Sequence, residues 1–220
     1  MKKQPHSIQS ERQQAMAQQA LALARTALNG ALEQAGHSEM QPPLRVERAP
    51  APIAPRQMAQ ARSGDAAVQA QLAASYEACL TAYRDIVAAR ADAAGMDDVG
   101  AAMAFFVAVN LRVLQGVDVE ADALQLLEHQ LRGVTRRAAQ WDAATRAQRQ
   151  LFFERIAITS ILMSRALANA NARGPVALAD VRRNARDYLQ HLLGLDPDAI
   201  SLGAEGLVVR DEAIGAPAAQ

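Results

Sequence analysis

Between Val99 and Leu114 only two residues, Asn110 and Arg112, are polar. The stretch reads as one helix, capped at its start by Asp98 and ended by Gly116. A helix that is apolar around nearly its whole circumference has no face to give to water. It must lie at the centre of a bundle or under a partner. It is also too short to span a bilayer.

The rest of the chain supplies helices to surround it. Half of the 220 residues are apolar but only 4 % are aromatic, so Ala, Leu, Val and Ile must build the core. Residues 65–94 repeat apolar side chains at three and four, from Val68 through Tyr76 and Tyr83 to Val87. Residues 118–137 place Asp118, Glu120 and Asp122 first and Arg132, Arg136 and Arg137 last, which complements a helix dipole. A helix from Asp142 or Thr145 to Ala172 carries Leu151, Phe152, Ile156, Ile158 and Ile161 and forms the second central element. Gly174-Pro175 breaks it, and a last helix runs from Ala177 to Leu193. Ile200, Leu202, Leu207 and Val208 add a short cover.

The expected fold is all-α: five core helices with two apolar ones at the centre, over residues 64–208. Residues 1–40 hold an amphipathic helix over 8–35, whose apolar positions are Met16, Leu21, Leu23, Leu28 and Leu32. Residues 41–63, with Pro42, Pro43, Pro50, Pro52 and Pro55, read as an extended, unpacked linker. Residues 209–220 read as a flexible tail.

Net charge is zero but unevenly placed. Residues 130–186 hold eleven basic against three acidic residues, or +8, flanked by acidic stretches. Acidic and basic helices packed side by side explain this. A nucleic-acid surface would also want aromatics interleaved with the arginines, and none are. Cys79 is the only cysteine, which excludes a disulfide framework and a cysteine metal site. Lys2 and Lys3 are followed by no apolar run, since Glu11, Arg12 and Gln13 interrupt it, so no secretion signal is read and the cytoplasm is the expected compartment.

Four polar positions stand out. Asn110 lies in a seam with Val99, Met103, Phe106 and Val113, at the spacing of a coiled coil. A buried Asn there sets register or oligomer state, or contacts a ligand. Arg112 lies on the far side of the same helix. It pairs with Glu154, the lone acid in an apolar stretch, or reaches the surface. Tyr83 belongs to the core with its hydroxyl at the rim. Trp141 wedges the junction between two helices. The four histidines lack metal-ligand spacing, and no HExxH, GxSxG, GxGxxG or phosphate-binding loop occurs. No metal, cofactor or catalytic residue is expected.

Asp97-Asp98-Val99, Phe105-Phe106, Gly116, Ala147 to Gln150, Gly194-Leu195-Asp196 and Leu202 to Gly206 together resemble an uncharacterised bacterial family of helical proteins, a domain of unknown function. The resemblance spans about residues 72–208. It implies the helix order above and no catalytic residue. Many members begin with a signal peptide, which implies the periplasm as the alternative compartment.

The expected function is a non-catalytic interaction or scaffold protein, with the tethered helix docking on a protein partner or a second copy. The alternatives are a small-molecule or lipid binder, with a gap between the two central helices lined by Phe105, Phe106, Phe152 and Met163, and an enzyme of unfamiliar type built on Arg112, Glu154 and Tyr83.

Overall fold

A computed structural model describes residues 40–48, 50–90, 97–116, 118–190, 196–204 and 206–209. The expected N-terminal helix, the flexible tail, the helix ends at Gly95 and Leu193, and His6, His37 and His191 lie outside the described residues.

The helices are α1 (Ala54–Arg62), α2 (Ala66–Ala88), α3 (Val99–Gln115), α4 (Ala121–Arg137), α5 (Ala139–Ala143), α6 (Arg146–Arg173) and α7 (Pro175–Tyr188). A hairpin, β1 (Ile200–Gly203) and β2 (Gly206–Val209), follows. The fold is predominantly all-α. Helices α2, α3, α4, α6 and α7 are the five expected from the sequence.

Local chemistry sets the boundaries. The Asp65 carboxylate accepts the Ala67 and Val68 amides at 2.8 and 3.0 Å and starts α2. Thr145 and Gln148 form a reciprocal capping box at the start of α6. Gly116, at φ 71°, closes α3 in the left-handed conformation that a side chain disfavours.

Helix α3 is the centre. It packs on α4, α6 and α7. Thirteen of its residues are buried, so its apolar circumference is covered within the chain. Phe106 meets Tyr188 of α7 edge to face, with ring centroids 6.0 Å apart. Tyr83 of α2 meets Phe105 of α3 and Phe153 of α6 in the same way. Ser160 and Ser164 return their hydroxyls to carbonyls one turn back in α6, so these small polar residues present no donor to a neighbouring helix. Trp141, in α5, stacks against Phe152 and takes the Arg149 guanidinium over its ring at 5.0 Å, the expected wedge.

Two segments differ from the sequence expectation. Residues 41–63 are not an unpacked linker. Leu44, Val46, Ala54 and Ala59 are buried in the main core. The strap 42–48 runs antiparallel to the start of α3, with Val46 N–H on the Asp97 carbonyl at 2.8 Å and Val99 N–H on the Leu44 carbonyl at 3.0 Å. The prolines suit this: they fix an extended entry, and Pro55 lies in the first turn of α1, where no amide is needed. The packed body therefore includes residues 44–59 and is not confined to residues from 64 onward. The short cover at the C-terminus is an antiparallel hairpin pairing Ile200 with Val209 and Leu202 with Leu207. The apolar residues Ile200 and Leu202 before the Gly203 to Gly206 turn, and Leu207 and Val208 after it, are the strand signal. Gln130 of α4 clasps it, accepting the Leu207 amide at 2.8 Å.

Candidate functional site

Two polar constellations lie on this frame, one inside and one open. The inner one surrounds the N-terminus of α3. The adjacent acids Asp97 and Asp98 bring two buried carboxylates there. Asp98 caps α3 through Gly100 N–H at 3.0 Å, and the same oxygen accepts Leu44 N–H at 2.9 Å. Its other oxygen accepts Arg132 Nε at 2.8 Å and Arg132 Nη2. Arg132 reaches on to Glu128, one turn back on α4, at 3.2 Å. Arg90 pairs with the other Glu128 oxygen. Asp97 receives two guanidinium forks. Arg84 binds at 3.0 and 2.7 Å and Arg48 at 3.3 and 3.0 Å. Three carboxylates and four guanidiniums thus tie the strap, α2, α3 and α4 together.

Close backbone approach makes room for this. A Cβ at Gly100 would collide with Arg132 Cγ and sit 3.1 Å from the Glu128 carbonyl. Burial favours a neutral Asp97, but Arg84 and Arg48 overcome it and hold the carboxyl below its ordinary range. At Glu128 burial wins against Arg90 and Arg132 and pushes the carboxyl upward. The Tyr83 hydroxyl faces this charge from a fully packed position. Burial and then Asp98 and Glu128 raise its pKa. It is not at a rim, and its oxygen has no hydrogen-bond partner among the described residues. His129 takes the Gln41 amide on Nδ1 at 3.1 Å, which pins the strap once more.

Every carboxylate in this network accepts at least two charged or amide donors. Oxygens so occupied serve to hold segments in place. Sequence reading picked out Asp98 only as a cap and missed Arg48, Arg84, Arg90 and Asp97 as its neighbours. The one local signal was Glu128 and Arg132 at i, i+4.

The structure separates the four residues singled out from the sequence. Arg112 does not pair with Glu154. Its side chain is 57 % exposed and binds Asp118 at 2.9 Å, because the end of α3 lets a long side chain reach water. Glu154 is buried and accepts the Ile53 and Ala54 amides, both at 2.8 Å, and Gln150 Nε2 at 2.6 Å. It caps α1, whose first amides would otherwise be orphaned. Asn110 is buried, but its amide donates to the Phe106 carbonyl of its own helix at 2.7 Å. Tyr83 lies with the inner network. No site contains Arg112, Glu154 and Tyr83 together. Nor do the four residues expected to line a gap share one: Phe105 packs on Tyr83 and against the cluster that holds Met163, Val109 and Val113, while Phe106 packs on Tyr188 and Phe152 on Trp141.

The open constellation is a cleft of about 550 Å³ where the end of α3 meets α7 and the turn at Pro197 and Asp198. Arg182, Arg183 and Arg186 of α7 line it, with Leu114 and Gln115 of α3. Arg186 holds Asp198 in a two-point fork at 2.6 and 3.1 Å. Hydrogen bonding to Asp198 raises the Arg186 pKa further.

Among the described residues no group of His, Cys, Asp or Glu has the arrangement of a metal site. No described helix is long and apolar enough to cross a membrane. A family model described as a family of unknown function (DUF6683) matches residues 4–210. The chain belongs to that family. The match takes in the N-terminal segment and strap that the sequence resemblance left out. No curated protein and no solved structure matches the chain.

Proposed function

We propose that this member of the family is a non-catalytic interaction protein: a cross-braced helical body that offers residues 1–39 to a protein partner. The observation that supports the reading is the anchored strap. Gln41, Leu44 and Val46 are fixed to the start of α3 and to α4, so the chain immediately after residues 1–39 is held at a defined place on the body. The buried carboxylates Asp97, Asp98, Glu128 and Glu154 are occupied in bracing, which fits a body whose task is to hold a shape. Leu21, Leu28 and Leu32 are spaced seven and four apart in sequence, the spacing of one face of a docking helix.

Lys2 and Lys3 are also the only lysines, which makes the test selective. An amine-reactive cross-linker applied to intact cells reports on the N-terminal segment alone. The expected result is a cross-link to a second protein or a second copy. The double substitution Leu21→Asp and Leu28→Asp abolishes it and leaves the melting temperature of the body unchanged. No intermolecular cross-link, or one that survives the double substitution, overturns the proposal.

A further inference from the structure

The geometry points to the cleft between α3 and α7 as a binding site for a small molecule bearing a phosphate or carboxylate, seated on Arg182 and Arg183. Three arginines and one aspartate line the cleft, so its wall carries a net positive charge. Its volume, about 550 Å³, lies within the span of small-molecule sites. Arg182 is oriented in advance: its Nε donates to the Val113 carbonyl at 3.4 Å, one of the carbonyls left free in the last turn of α3. Its two terminal nitrogens have no partner among the described residues. Among the described residues Arg183 is held only by the exposed Asp180 at 3.1 Å.

The protein already shows the chemistry once. The Asp198 carboxylate lies across the Arg186 fork at two points, the geometry in which a guanidinium recognises carboxylate or phosphate. Arg182, one turn earlier on the same helix, offers the equivalent pair of terminal nitrogens to an oxyanion from solution, and Arg183 adds its charge beside it while one of its nitrogens holds Asp180. Leu114 and Pro197 supply an apolar wall beside them, so a ligand with an apolar body fits better than a bare ion. A cleft of this size admits a small molecule and not a folded partner. The inference does not depend on residues 1–39, so it stands or falls apart from the proposed function.

The test is calorimetric titration of the full-length chain with phenyl phosphate, benzoate, inorganic phosphate and a poly-glutamate peptide. Phenyl phosphate or benzoate binds, and tighter than inorganic phosphate. Arg182→Gln weakens that binding at least tenfold, and Ala179→Glu, which puts an acid on the cleft wall without removing an arginine, abolishes it. Arg155→Gln, an exposed arginine of α6 away from the cleft, leaves it unchanged. Phenyl phosphate binding tighter than benzoate identifies the phosphate source, and the reverse order the carboxylate. Absence of binding by both, binding of poly-glutamate alone, or affinity unaltered by Arg182→Gln and Ala179→Glu overturns the inference. Circular dichroism of each variant confirms that loss of binding is not loss of fold.

Discussion

Asp98 holds Arg132 with one carboxylate oxygen and the Leu44 and Gly100 amides with the other. A single side chain thereby caps a helix, pairs with a second helix and ties down the strap. Asp98→Ala removes all three contacts and leaves Arg132 buried beside Glu128 alone. The expected cost is about 3–5 kcal/mol, the range for breaking a buried ion pair. Adding Arg132→Met removes the stranded charge, so the double variant is more stable than the sum of the single losses by about 1 kcal/mol or more. Urea denaturation of the four proteins measures this. Simple additivity would show that the two side chains act independently.

Asp97 gives the fold an acid limit. Its carboxyl titrates below the ordinary range in the folded protein, so its contribution is complete above that range and is lost as the pH falls through the folded value. Asp97→Asn lowers stability at pH 7 by about 1–3 kcal/mol, reduced from a fully buried pair because Arg48 reaches solvent. The variant also loses less stability than the parent between about pH 5 and pH 3. Glu128 works in the opposite sense: its raised carboxyl favours the folded state at low pH and costs stability as the pH rises through the folded value. Equal acid slopes in parent and Asp97→Asn, read from thermal melts across this range, would refute the assignment.

Glu154 secures α1 through two backbone amides. Glu154→Ala strips those partners and releases the strap before the rest of the body. Trypsin then cuts at the exposed Arg56 and Arg62 at least several times faster than in the parent, ahead of sites in α6. Global stability falls by about 2–4 kcal/mol, as expected for orphaning buried amides and Gln150. Unchanged cleavage at Arg56 and Arg62 would mean that Leu44, Val46 and Ala54 hold the strap without the carboxylate.

The helices were legible because their signals are local. Asp98, Thr145 and Gly116 carry boundary information within a turn or two, and the apolar circumference of α3 declares its central place. The strap was not legible. Five prolines resemble a linker in composition, and the partners that anchor Leu44 and Glu154 lie 54 and 100 residues away in sequence. The same distance hid the inner network, in which only Glu128 and Arg132 are neighbours along one helix. Arg112 was mispaired because an apolar flank suggests burial, whereas a position near a helix end lets the guanidinium escape to Asp118. The cleft combines α3, α7 and a turn, and its arginines resembled an ordinary solvated face.

The anchored strap also sets an order of events at the ribosome. Leu44, Val46 and Ala54 emerge early, yet their partners are Asp98, Asp97 and Glu154 in turn. At roughly 5–20 residues per second, about 100 further residues take on the order of 5–20 s to appear. For that interval the strap's apolar side chains have no native surface to cover. The prolines around it supply a remedy: they disfavour the β-strand pairing by which exposed apolar segments aggregate. Synthesis thus delivers the strap well before the partners that hold it in place.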